Sequence, residues 1–156
     1  MDPGFPGRLF IRGKLVAGVR GEREFSMKRN ELYRCSKCGV QLEVLVSGSD
    51  DVELVCCGEV LKAQRANSSD GAGEKHLPVA ESCPGGILVR VGDVPHPMSE
   101  EHHIEWIEVI NGAYVNRFYL KPGELPQAVF SVPLSPELII RESCNIHGVW
   151  QKKPRD

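Results

Sequence analysis

Cys144-Asn145-Ile146-His147-Gly148 sets a thiol and an imidazole three residues apart in a segment closed by glycine. A turn of this kind at the end of a strand presents both side chains to one metal. Three further histidines lie upstream: His76 in Glu74-Lys75-His76, His96 in Val94-Pro95-His96-Pro97-Met98, and His102 ahead of Ile104-Glu105-Trp106. Pro95 has its φ fixed, and Pro97 pushes His96 toward extended geometry, so this ring loses little freedom on binding. His102 and His103 compete for the next place. Strand alternation puts His102, Ile104 and Trp106 on one face and His103 and Glu105 on the other, which favours His102 and leaves His103 at the surface or behind a ligand. A thiolate with imidazoles suits iron, copper or zinc. One thiolate with four imidazoles is a set for a redox iron with an open position. Glu74 and Lys75 beside it point to chemistry on a small oxygen species.

A second group of possible ligands comes earlier. Cys35 and Cys38 are spaced so that two sulfurs of one tight turn face one ion, and Cys56-Cys57 follows after 17 residues. Four thiolates make a tetrahedral site for zinc or iron. Neighbouring cysteines do not easily occupy two tetrahedral corners, so a distorted site is expected. The sixth cysteine, Cys83, reads as an ordinary free thiol in a turn. Disulfides are not expected, since no export signal is evident and a vicinal Cys56–Cys57 bridge would be strained.

The elements around these residues are short. The chain has 156 residues, 41% hydrophobic but only 6% aromatic, so its core must rest on Val, Ile and Leu. Net charge is −2, which gives no case for nucleic acid. Residues 1–29 hold seven basic and three acidic groups, whereas residues 30–156 hold 12 and 18. No apolar run nears the roughly 18 residues of a membrane span, and a soluble, cytoplasmic protein is expected. Residues 1–30 read as an N-terminal extension that is frayed or disordered, with Met27 a natural start. Residues 31–66 read as a small metal unit in which strands 41–46 and 52–55 form a hairpin with two thiols at each end, turning at residues 47–51. About 35 residues bury too little surface to fold alone, and a metal would supply the rest. Residues 67–73 are a linker by composition. Residues 74–156 read as a β-sandwich, with strands at 87–91, 104–110, 114–120, 128–132 and 138–142 separated by turn signals such as Gly85-Gly86 and Asn111-Gly112.

The Cys35-x2-Cys38 and Cys56-Cys57 pattern resembles desulforedoxin. Together with Glu74-Lys75-His76, His96-Pro97-Met98, His102-x-Ile104-Glu105-Trp106 and Cys144-Asn145-Ile146-His147-Gly148, it resembles desulfoferrodoxin, the two-centre superoxide reductase family, over about residues 31–150. The resemblance implies an all-β fold, a desulforedoxin-like metal hairpin followed by an immunoglobulin-like β-sandwich. It implies two irons per chain. Cys35, Cys38, Cys56 and Cys57 would bind the first. His76, His96, His102 and His147 would lie around the second with Cys144 axial, Glu74 as sixth ligand in the ferric state, and Lys75 beside the open ferrous position. The implied activity is one-electron reduction of superoxide to hydrogen peroxide, with electrons from a donor such as rubredoxin. A homodimer is implied too. The alternative is an iron electron-transfer protein that does not turn over superoxide.

Overall fold

The computed structural model describes residues 9–13, 27–48, 52–69 and 75–154. The chain divides into two compact units, Met1–Gln64 and Arg65–Asp156. Among the described residues every regular element is a strand.

In the first unit, β1 (Leu9–Gly13), β4 (Val52–Cys56) and β5 (Glu59–Val60) form one antiparallel sheet in the order β1-β4-β5, and β2 (Leu32–Arg34) pairs with β3 (Gln41–Glu43). This corrects the expected hairpin of residues 41–46 with 52–55. The Cys35–Cys38 turn folds the chain straight back, with Gly39 N–H donating to Cys35 O at 3.0 Å and Cys35 N–H to Val40 O at 2.9 Å. Gly39 takes a φ of +76° to allow this, a value that needs glycine. β3 therefore returns along β2, and β4 finds its partners in β1 and β5. The pairing of Leu9–Gly13 with Val52–Cys56 also gives residues 9–13 a regular structure where a frayed tail was expected. Residues 1–8, 14–26 and the turn residues 49–51 lie outside the described residues. The core is small: Tyr33, Cys35, Cys56 and Leu61 are buried, with Met27, Leu42, Val44 and Leu54 packed against them. Two of the four central residues are candidate ligands, so a metal would take the place of missing apolar volume.

The second unit is a sandwich of two antiparallel sheets, three strands in the order β10-β7-β6 and four in the order β12-β11-β8-β9. These are β6 (Pro78–Cys83), β7 (Gly86–Val91), β8 (Ile104–Asn111), β9 (Tyr114–Tyr119), β10 (Gln127–Phe130), β11 (Ile139–Cys144) and β12 (Gly148–Lys152). Seven strands split three and four make an immunoglobulin-like sandwich. β7 buries every second residue, Ile87, Val89 and Val91, against Ile107, Val109 and Ile140 of the facing sheet. Five of these strands lie where apolar runs placed them. β6 and β12 were not anticipated. Cys83 ends β6 rather than standing in the turn itself. Asn67, assigned by composition to a linker, joins the edge of the sandwich: its N–H donates to Val149 O at 2.9 Å, and Gln151 N–H donates to Asn67 O at 2.8 Å.

Candidate metal centres

The four-cysteine group sits where the Cys35–Cys38 turn meets the end of β4. Cys38 Sγ lies 3.6 Å from Cys56 Sγ, and Cys56 Sγ 3.9 Å from Cys57 Sγ. Thiolates about 2.3 Å from a shared ion stand about 3.8 Å apart at tetrahedral corners, so these separations fit one metal. The expected distortion is carried by the backbone: Cys57 has a φ of +51°. A left-handed residue costs roughly 1–2 kcal/mol, and here it turns two successive thiols toward one point. The thiols oppose joint ionisation. The Cys38 backbone N–H lowers Cys35 to about 7, whereas burial pushes Cys56 up to about 12. The side-chain hydrogen bond with Cys38 likewise raises Cys57. A cation in their midst removes that opposition, which is the second sign that the group fits a metal. Lys37 closes the outer side, donating from Nζ to Cys57 O at 3.2 Å and pairing with Glu59 at 3.1 Å. All six cysteines are free, as expected.

The second group gathers His76, His96, His102, Cys144 and His147, each offering one ligand atom, all within 4.8 Å of one another. Three segments deliver them. His76 lies just ahead of β6. His96 and His102 come from the crossover between β7 and β8. Cys144 and His147 flank the β11–β12 turn, where Cys144 pairs with Gly148. The rings form a closed circuit. Successive centroids, 76 to 96 to 102 to 147 and back to 76, stand 4.7, 4.5, 4.9 and 4.8 Å apart, nearly edge to face, and 76 to 102 across the circuit is 6.3 Å. That is the outline of a square. His103 is excluded from it, as alternation suggested; its Nδ1 lies 3.1 Å from Ser99 O.

Several contacts select which nitrogen faces inward. His96 Nδ1 donates to Pro97 O at 2.7 Å, leaving Nε2 as the acceptor of the neutral ring. His76 Nε2 lies 3.1 Å from His147 Nδ1, and Cys144 Sγ lies 3.5 Å from that same Nδ1. His102 Nε2 is buried with no hydrogen-bond partner among the described residues. Buried nitrogens converging with a fully buried thiol fit a metal and little else. Glu74 lies outside the described residues. Lys75 is exposed beside His76, its Nζ 3.9 Å from Asp93 Oδ2.

Three residues that hold the site had no role in the sequence reading. Asn145 ties the Cys144 turn to the His102 segment. Its Oδ1 accepts from His103 N–H at 2.9 Å, its N–H donates to His103 O at 3.1 Å, and its Nδ2 donates to Glu101 O at 2.9 Å. Its place inside the Cys144–Gly148 motif was the available signal. Trp150 stacks on His76. Gly92 lets the His76 and His96 segments approach: at φ +81°, an added Cβ would stand 2.4 Å from Lys75 O and 2.5 Å from Val94 O. Both are backbone atoms that cannot step aside cheaply. Gly92→Ala should therefore cost about 2–4 kcal/mol and weaken metal binding at this group about tenfold or more. Urea unfolding and a chelator competition check both.

A family model described as Desulfoferrodoxin matches residues 68–153. The chain belongs to the desulfoferrodoxin family. It is 47% identical to a desulfoferrodoxin homolog of Methanothermobacter thermautotrophicus over 78% of this chain and 96% of the relative. It is 46% identical to the desulfoferrodoxin of Nitratidesulfovibrio vulgaris over 78% of this chain and 94% of that protein. Among solved structures, the superoxide reductase from Treponema pallidum superposes with a TM-score of 0.63 at 27% identity, covering 79% of this chain and 97% of that one. Desulfoferrodoxins hold two irons, and among the described residues the four-cysteine and four-histidine, one-cysteine groups are the two places that could take them. The desulforedoxin-like unit followed by a sandwich is the family architecture. Among the described residues no helix is long and apolar enough to cross a membrane.

Proposed function

We propose that this protein is a superoxide reductase. One electron and two protons convert each superoxide to hydrogen peroxide, and an outside donor such as rubredoxin restores the electron. The observation that supports this most is the circuit of four imidazoles closed around one point with a buried thiol beside it. Iron bound there supplies the electron and a Lewis-acid position open to a small anion. In this reading His76, His96, His102 and His147 hold the metal, and Cys144 contributes a soft, electron-rich donor that tunes it. Cys35, Cys38, Cys56 and Cys57 hold the other iron. Glu74 would be the carboxylate available to an oxidised metal there. A division of labour between a small metal unit and a catalytic sandwich, a cytoplasmic location and a homodimer belong to the same reading.

Lys75 has two tasks in it. The chain carries a net charge of −2, so attraction for superoxide must be local. The Lys75 ammonium is exposed next to a ligand, and its ion pair with exposed Asp93 at 3.9 Å is worth less than about 1 kcal/mol. An arriving anion displaces so weak a partner. Nζ then holds the anion, or a water, where a proton is needed. Lys75→Ala should slow the second-order reaction with superoxide by about three- to tenfold at low salt and flatten its dependence on ionic strength. Stopped-flow or pulse-radiolysis rates across a salt series check this. An unchanged rate and slope would remove Lys75 from the mechanism.

A further inference from the structure

Trp150 is one of two tryptophans in the chain and lies outside the set of metal donors. Its indole lies flat on His76, with centroids 4.6 Å apart and planes 9° from parallel. The four neighbouring pairs within the imidazole circuit are edge to face, and the diagonal His76–His102 pair is tilted by 36°. So His76, fully buried, presents its edge to the circuit and one face to a large electron-rich ring. The indole is not held by its N–H, since Nε1 is buried with no hydrogen-bond partner among the described residues. It is held by the backbone. Trp150 pairs with Glu142 of β11 on one side, and Asn67 clamps Val149 and Gln151 on the other.

We propose that Trp150 tunes the second metal centre through His76, as a positioning and electrostatic residue that favours the more oxidised iron. This rests on the reading that His76 is an iron ligand. An imidazole bound to a cation becomes electron-poor, more so as the cation's charge rises. The face of an indole carries the negative part of its quadrupole and attracts positive charge above it. A flat stack on His76 therefore stabilises the ferric form more than the ferrous form, making the centre a stronger reductant. The stack also fixes the plane of the ring, so that its inward nitrogen does not swing from the metal.

The test is a redox titration of the iron-loaded full chain, following the ferric absorption of the second centre, for Trp150→Phe and Trp150→Leu. Iron content and the electron paramagnetic resonance spectrum of the ferric site come first. A protein that binds no iron at these residues, in the unaltered chain, would refute the ligand reading and leave the Trp150 inference without its base. With iron bound, the midpoint potential should rise in both variants, more for leucine than for phenylalanine. At a fixed ambient potential the ferric-to-ferrous ratio should fall about two- to tenfold for leucine. A potential that stays put or falls in both variants, with iron retained, overturns the proposal. So does loss of iron in the phenylalanine variant, which would show that Trp150 only fills space.

Discussion

Cys144→Ser should abolish superoxide reduction and release one of the two irons. Cys144 is fully buried in the sandwich core, packed among Ile104, Ile107 and Ile140. The register between β11 and β8 slips between Ser143 and Cys144. Such an irregularity re-aims a side chain, and here it turns the thiol from the regular ladder toward the imidazoles. Serine is almost the same size, so the fold should survive. Its hydroxyl does not ionise near neutral pH and is a poor donor to a metal that thiolate suits. Altering a residue behind a ligand already costs 10–100-fold in metal affinity, so losing the thiolate should cost at least about 100-fold. The four-cysteine group belongs to a separate compact unit and should keep its iron. Iron per chain by elemental analysis and superoxide consumption check the two halves of this expectation. Full iron content with full activity would remove Cys144 from the ligand set.

Glu108→Ala should destabilise the sandwich by about 3–5 kcal/mol. Glu108 is completely buried on β8, yet it is a carboxylate. It is matched across both neighbours. Arg117 of β9 and Arg141 of β11 are its register partners. Arg117 Nε donates to Oε2 at 2.7 Å, and the guanidinium of Arg141 closes on Oε1. Arg117 also lies over the Trp106 ring at 4.9 Å. Removing the carboxylate takes away the counter-charge that faces two guanidinium groups, one of them nearly buried. The row links β8, which leads out of the His102 segment, to β11, which ends in Cys144. Its loss should therefore loosen the metal group as well as the sheet. Chemical denaturation measures the first effect and the rate of iron loss to a chelator the second. Replacing all three residues by well-packed apolar ones should be far milder, because it removes the charges together. A cost below about 1 kcal/mol for Glu108→Ala would mean that water reaches the row.

The donor residues were legible because metal chemistry restricts residue type and spacing. The Cys35–Cys38 and Cys144–His147 spacings each describe one turn, and alternation separates His102 from His103. The strands from β7 to β11 were legible as short runs rich in β-branched and aromatic residues, set apart by turn signals such as Gly85-Gly86 and Asn111-Gly112. β6 and β12 were not. β6 opens on a proline and runs to Glu81-Ser82-Cys83, and β12 runs to Gln151-Lys152, so each mixes polar residues into an edge of its sheet. Pairing in the first unit was hidden for another reason. Strands of two to five residues carry almost no pattern, and a glycine at φ +76° after Cys38 decides which one returns along which. Gly92 and Trp150 act through close approach and stacking between segments far apart in the chain, which no local pattern announces.

The central claim is that superoxide is reduced rather than dismutated or left alone. It is tested by counting products while a steady superoxide flux meets the iron-loaded protein with a reductant present. The account predicts about one hydrogen peroxide for each superoxide consumed and no dioxygen beyond the uncatalysed background. Half that peroxide with matching dioxygen would mean dismutation. No faster loss of superoxide, with both irons confirmed in place, would make the protein an electron carrier and contradict the account.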